Sequence, residues 1–166
     1  DERKISQSLL FSEQKIIGHA GAIGADVVIL RPTLIYGAGR DQSLSRWLNM
    51  ARRFKFVVLP RNAGGLRQPV HVEDVASAVF TSTNSGVAGF HVLELPGGEA
   101  LPFDQMLLRS LRVHLPKTTV LRIPGFMFRL MFKIGGVFGL LQGVGPGFFA
   151  RLTEDWVFDA EPAERV

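Results

Sequence analysis

The sequence predicts an α/β fold with a parallel sheet component, and three observations carry the prediction. Segments of helical and strand period alternate along the chain, the order expected when crossover helices join strands of one sheet. Val27-Val28-Ile29-Leu30 is an unbroken apolar run without alternation, the pattern of a strand covered on both faces. The stretch Arg67 to Ala76 changes period midway. Val70 and Val72 flank His71 as in a short strand, and then Val75, Ala76, Val79 and Phe80 recur at helical spacing. Glu73 and Asp74 fall in the first helical turn, where the helix dipole favours negative charge.

Taken in order, Ser6 to about Ile23 spaces Leu9, Leu10, Ile16, Ile17 and Ala20 as a surface-packed helix with Glu13, Gln14 and Lys15 on its polar side. Gly21 and Gly24 close it, and Val27 to Leu30 follows as a buried strand that Arg31-Pro32 ends, because proline donates nothing to a sheet ladder. The loop Pro32 to Arg40 leaves that strand's carboxyl end, the edge where open α/β sheets bind ligands. A helix is expected from about Gln42 to Arg53 with Leu44, Trp47, Leu48 and Ala51 inward, then a strand Phe56 to Leu59 stopped by Pro60. Arg61 to Gly65 is turn-rich and delivers the chain to Arg67. After the helix ending near Ser85-Gly86, Phe90 to Leu95 reads as a strand and Pro102 to Val113 as a helix. Thr118 to Ile123 reads as a strand, with helices over Pro124 to Met131 and Phe148 to Asp155.

Composition narrows the function classes. A chain of 166 residues with 46% hydrophobic content suits one domain with a packed core. The formal charge of +4 is spread thinly; the tight basic cluster, Arg52-Arg53 with Lys55 among Phe54 and Phe56, reads as a solvated helix end rather than a nucleic-acid or membrane contact. With no cysteine there is no disulfide, thiolate catalysis or cysteine zinc site. His19, His71, His91 and His114 lack ligand spacing, so no metal is expected. The polar, charged opening is not a signal peptide, and the uncharged run Ile134 to Ala150, with six glycines and Pro146, falls short of a spanning helix. Surface contact with a membrane stays open but is not favoured. Phe126, Met127, Phe128, Met131 and Phe132 form a dense apolar face read as core or partner interface. The chain reads as a piece of something longer.

Two motifs carry a resemblance. Leu30-Arg31-Pro32-Thr33-Leu34-Ile35-Tyr36-Gly37 is similar to the LRPxxxYG segment, and Arg67 to Ala76 to the R-x-x-(V/I)-H-V-x-D-(V/L)-A segment, of the extended short-chain dehydrogenase/reductases, the NAD-dependent epimerase/dehydratases of nucleotide sugars. Leu152 to Asp159 with Ala163 to Val166 resembles, more weakly, that family's closing segment. The resemblance implies a partial Rossmann-like, doubly wound fold: residues 1–166 as one fragment, the carboxyl-terminal strands and helices plus a small substrate-binding subdomain. It also implies NAD or NADP in the intact parent, a nucleotide-sugar or other small-molecule substrate, and a cytoplasmic location. No nucleic acid is expected as a partner, and homo-oligomers could form through the hydrogen-bonding edge of Val27 to Leu30.

Two departures matter. The Gly-rich turn that holds the cofactor pyrophosphate is not in this sequence; Gly21-x-x-Gly24 follows a helix and precedes a strand, the reverse of the required order, so tight cofactor binding by this chain is not expected. The family's Tyr-x-x-x-Lys acid/base pair is not found either. The one tyrosine, Tyr36, lies downstream of the helix concerned, and aligning Glu13-Gln14 with the family's Glu after the Lys puts Ile5 and Leu9 at the pair's positions. A second registration makes Lys4 the lysine. No catalytic residue is assigned, which leaves a non-catalytic scaffold or assembly subunit as the alternative to an enzyme.

The resemblance assigns Pro32, Thr33 and Tyr36 to the nicotinamide side of the pocket, and Arg67, Arg31, Leu34 and His71 to the substrate side. Arg67 would pair with the substrate pyrophosphate; an ion pair with Glu73 or Asp74 is the plainer reading. Arg31, before a proline, reads as a loop anchor, His71 as a hydrogen-bonded strand histidine, Asp74 as a helix cap and Tyr36 equally as core. Leu34 stands where many nucleotide-sugar enzymes carry an Asn that contacts the substrate phosphate.

Overall fold

A computed structural model describes residues 2–37, 44–137 and 149–165. The order is α1 (Glu2–Ile23), β1 (Val27–Pro32), β2 (Ile35–Tyr36), α2 (Leu44–Phe54), β3 (Phe56–Pro60), β4 (Leu66–Arg67), β5 (Val70–His71), α3 (Val72–Asn84) and β6 (Phe90–Leu95). It continues with β7 (Leu101–Pro102), α4 (Phe103–His114), β8 (Thr119–Ile123), α5 (Gly125–Val137), α6 (Ala150–Thr153) and α7 (Glu161–Glu164). The strands join in pairs: β1 with β6, β2 with β5 and β3 with β8 are parallel, and β4 with β7 is antiparallel. Parallel pairs joined through helices make this an α/β fold, as the alternating periods predict.

The core gathers in the half built from α2, β3, α4, α5 and α6. Trp47 and Ala51 of α2, Val57 and Leu59 of β3, Met106 and Leu107 of α4, Phe128 of α5 and Leu152 of α6 pack together, with Trp47 and Phe103 ring centroids 5.9 Å apart. The buried α2 positions follow the 44, 47, 51 spacing read from the sequence. In β3, Val57 and Leu59 point inward while Phe56 faces solvent, the period of two of a half-covered strand.

The half around β1 differs from expectation. Val27 to Leu30 is not covered on both faces: every residue of β1 is half-buried, because β6 is its one partner among the described residues and α1 and α3 cover it lightly. The strand ends at Pro32, as Arg31-Pro32 predicts, with Pro32 itself still paired with Leu95. Proline at a strand end loses one donor without breaking the remaining ladder. Helix α1 begins earlier than Ser6 and packs only by its carboxyl-terminal part: Ala20 is buried and Ile17 half-buried, while Leu9 is 60% exposed and Leu10 and Ile16 are exposed too. Helix α3 buries nothing, with Phe80 72% exposed. On α5, Phe128 is buried as core while Phe126, Met127 and Met131 are exposed; Phe132, the loop 38–43 and most of the Gly-rich run lie outside the described side chains. No helix among the described residues is long and apolar enough to cross a membrane.

Candidate functional site

The carboxyl end of β1 delivers Arg31, Thr33 and Tyr36 to three different neighbours. Arg31 donates from Nε and Nη2 to both carboxylate oxygens of Glu13 on α1, at 3.2 and 2.6 Å, and from Nη1 to Glu94 on β6 at 3.4 Å. The hydrogen bonds from Arg31 hold the Glu13 carboxyl below its usual range, and Glu13 raises Arg31 in turn. The guanidinium thus fastens helix, strand and neighbouring strand together, the anchoring role read for a residue before proline, although through side-chain carboxylates.

Beyond Pro32 the chain turns onto the stretch 67–71. The Thr33 amide donates to the Leu95 carbonyl at 3.2 Å and its hydroxyl donates to the Gln68 carbonyl. The Val70 amide donates to the Leu34 carbonyl at 3.0 Å, and β2 then runs parallel to β5 with Ile35 opposite Val70 and Tyr36 opposite His71. Tyr36 and His71 meet edge to face, centroids 5.1 Å apart and planes at 70°. Both are partly open to solvent, so Tyr36 is not a core residue. Gly37, at φ +109°, lets the loop pass the histidine: a Cβ there would stand 2.7 Å from His71 Nε2.

His71 caps α3. Its backbone is extended, at φ −73° and ψ 144°, and its Nδ1 accepts the Glu73 amide at 3.3 Å, the role expected of Asp74. With Nδ1 accepting, a neutral ring carries its proton on Nε2, the side facing Gly37. Asp74 stays in the first turn, where it complements the helix dipole without capping.

Arg67 is the one buried charged residue among those described, at 6% exposure. It makes no ion pair with Glu73 or Asp74. Its Nη1 donates to the Leu66 carbonyl and, at 2.7 Å, to the Glu154 carbonyl, and its Nη2 donates to the Arg151 carbonyl. The guanidinium carbon lies 5.4 Å from the centre of the Trp156 ring. Burial pushes the Arg67 pKa down while Asp155 and Glu154 oppose it, and a guanidinium stays charged regardless. The tail then zips on: the Leu66 amide donates to Asp155 Oδ1 at 2.8 Å, the Trp156 amide to the Leu66 carbonyl at 2.9 Å, and Arg67 and Trp156 form a parallel bridge.

The site therefore brings Tyr36 against His71, with Leu34 joined to Val70 through its carbonyl and Thr33 tied to Gln68 and Leu95. Arg31 and Arg67 are engaged with α1 and β6 and with the tail respectively. Sequence reasoning missed Gln68, which joins the parts. Its carbonyl accepts from Thr33 and from the Gly97 amide at 3.2 Å, and its side-chain oxygen accepts the Phe158 amide at 2.6 Å. Gly97 makes this approach sterically feasible, since a Cβ there would stand 1.8 Å from the Pro69 carbonyl oxygen. Being a polar residue before a proline was the one local sign of Gln68, and its partners lie far away in sequence. No cluster of three His, Asp or Glu side chains suited to a metal occurs among the described residues.

No known family's sequence profile matches the chain. A curated relative, the mitochondrial NADH dehydrogenase [ubiquinone] 1 alpha subcomplex subunit 9 of Dictyostelium discoideum, is 28% identical over 100 residues, covering 58% of this chain and 27% of that protein. Among solved structures, the fold is similar to the ADP-L-glycero-D-manno-heptose-6-epimerase of Helicobacter pylori, with TM-score 0.53 and 22% identity, over 69% of this chain and 38% of that one. It is also similar to the UDP-N-acetylglucosamine 4-epimerase of Methanobrevibacter ruminantium M1, solved with UDP-N-acetylmuramic acid, at TM-score 0.56 and 13% identity over 86% and 48% of the two chains. A third is the dTDP-4-dehydrorhamnose reductase of Bacillus anthracis str. Ames solved with NADP, at TM-score 0.50 and 12% identity over 61% and 34%. The resemblance to the extended short-chain dehydrogenase/reductases holds at the level of the fold, which is Rossmann-like. The chain spans about a quarter of the curated relative's length and less than half of each solved neighbour's.

Proposed function

We propose that this chain is the substrate-side portion of an NAD(P)-dependent epimerase/dehydratase-like protein that acts on a nucleotide sugar. The observation that carries the reading is the packing of the loop after β1 against the stretch 67–71, which sets Tyr36 against His71 and ties Thr33 to Gln68 beyond a strand's carboxyl end. In open α/β sheets ligands enter at that edge. Pro32, Thr33 and Tyr36 line the nicotinamide side, and Leu34 and His71 line the substrate side. Arg31 and Arg67 hold the two walls: one ties β1 to α1 and β6, the other ties the tail to β4. This changes Arg67 from a phosphate ligand into the clamp that holds the tail, because both of its Nη groups donate to backbone carbonyls.

The cofactor half docks, in this reading, against the open edge of β1 and the apolar faces of α1 and α3. Bound there, NAD or NADP would supply the hydride acceptor or donor; the residues of this chain orient the sugar and close the pocket. Alone, the chain turns nothing over. The cofactor pool of such an enzyme is cytoplasmic, and the name of the curated relative makes the mitochondrion the alternative compartment.

A second reading is a non-catalytic subunit of a larger assembly. It is favoured by Ile5 and Leu9 standing where the acid/base pair is sought and by likeness to a protein named as a subunit of NADH dehydrogenase. The reading frame upstream of Asp1 discriminates. A Gly-rich turn after a strand, together with a tyrosine just before Asp1, gives the enzyme; a longer protein with neither is the scaffold.

A further inference from the structure

Charge along this chain is sharply segregated. The 31 residues from Gln42 to Val72 hold six Lys/Arg and no Asp/Glu, and the 49 residues from Gln105 to Thr153 hold seven and none. Thirteen of nineteen cations therefore lie in two stretches that contain none of the fifteen carboxylates. The parallel pairing of β3 with β8 brings the two stretches side by side, with Phe56 opposite Thr119 and Val58 opposite Leu121.

The solvent face of that pair is both apolar and cationic. Phe54 is 51% exposed, Phe56 41% and Leu121 45%. The two phenylalanine rings lie 6.1 Å apart, with the Arg53 guanidinium 5.3 Å from the Phe54 ring centre. Arg52, Arg53, Lys55 and Lys117 are exposed around them, and none pairs with a carboxylate among the described residues. Cations at the end of α2 complement its dipole, which accounts for Arg52 and Arg53. It does not account for exposed Phe54 and Phe56, or for Lys55 at φ +62°, a left-handed position where glycine is the unstrained choice.

We infer that this face, Phe54, Phe56 and Leu121 ringed by Arg52, Arg53, Lys55 and Lys117, docks on an anionic lipid surface. Cations without carboxylate partners are drawn to acidic headgroups, and exposed phenylalanine and leucine partition into the acyl boundary. The aliphatic component decides against single-stranded nucleic acid, since Leu121 offers neither a stacking plane nor a donor to a base. The inference is independent of the nucleotide-sugar reading.

Co-sedimentation of the 166-residue chain with vesicles tests it. With equal parts phosphatidylcholine and phosphatidylglycerol at low salt, the chain pellets; with phosphatidylcholine alone it stays in solution, and added salt releases it. Each neutralised cation weakens partitioning about fivefold, so R53Q/K55Q binds roughly thirtyfold more weakly. F54S/F56S also loses binding with an unchanged circular-dichroism melt, and K4Q/K15Q on α1 binds as before. Equal pelleting with both vesicles, no pelleting with either, undiminished R53Q/K55Q binding, or capture by single-stranded RNA without vesicle binding overturns it.

Discussion

Arg67 shows how far a side chain's role depends on partners that are distant in sequence. Its place before β5 is visible in the residues, but the carbonyls of Arg151 and Glu154 that accept its hydrogen bonds lie more than eighty positions away. Removing the guanidinium strands those carbonyls in a buried place, so Arg67→Ala lowers unfolding stability by about 3 kcal/mol, and Arg67→Lys, which keeps the charge but not the fork, by about half of that. Chemical denaturation measures both. His71→Ala, which deletes the α3 cap, costs about 1 kcal/mol. The Arg31–Glu13 pair gives a pH effect of defined sign. Hydrogen bonds from Arg31 depress the folded pKa of Glu13, so its contribution is present above the ordinary carboxylate pKa and is lost as pH falls through the depressed folded value. Thermal melts of wild type and Glu13→Gln should therefore converge as the pH drops below about 4.

At the scale of elements, long periodic segments were legible and two-residue strands were not. The spacing of Leu44, Trp47 and Ala51 and the alternation in Phe56 to Leu59 place α2 and β3 within a residue or two, because packing there obeys the local pattern. β2, β4 and β7 exist because a partner strand passes by, which no local period encodes. The run Val27 to Leu30 reads as doubly covered, yet β1 is half-open here. Hydrogen exchange should find the outward amides of β1 exchanging orders of magnitude faster than those of β3, whose Val57 and Leu59 are fully buried. Similar protection for both strands would mean that the β1 edge is already covered. Gly97→Ala, which forces a methyl into the Pro69 carbonyl, should cost about 1–3 kcal/mol and loosen the tail through Gln68.

The whole molecule is lopsided: one half closes a core around Trp47, Leu107 and Phe128, and the other leaves α1, α3 and an edge of β1 with apolar surface in water. Such an edge promotes self-association, and light scattering at high concentration should give a mass above the monomer. The fold class was legible because alternating periods report layers. The proposed site was legible only through its two motifs; Gln68 and the tail clamp were not, because they are set by contacts across the chain. The central claim, that the chain supplies the substrate side of a site whose cofactor side lies elsewhere, is tested most directly by titrating it calorimetrically with NAD. The account predicts no heat of binding, and a saturable, tight NAD isotherm would contradict it.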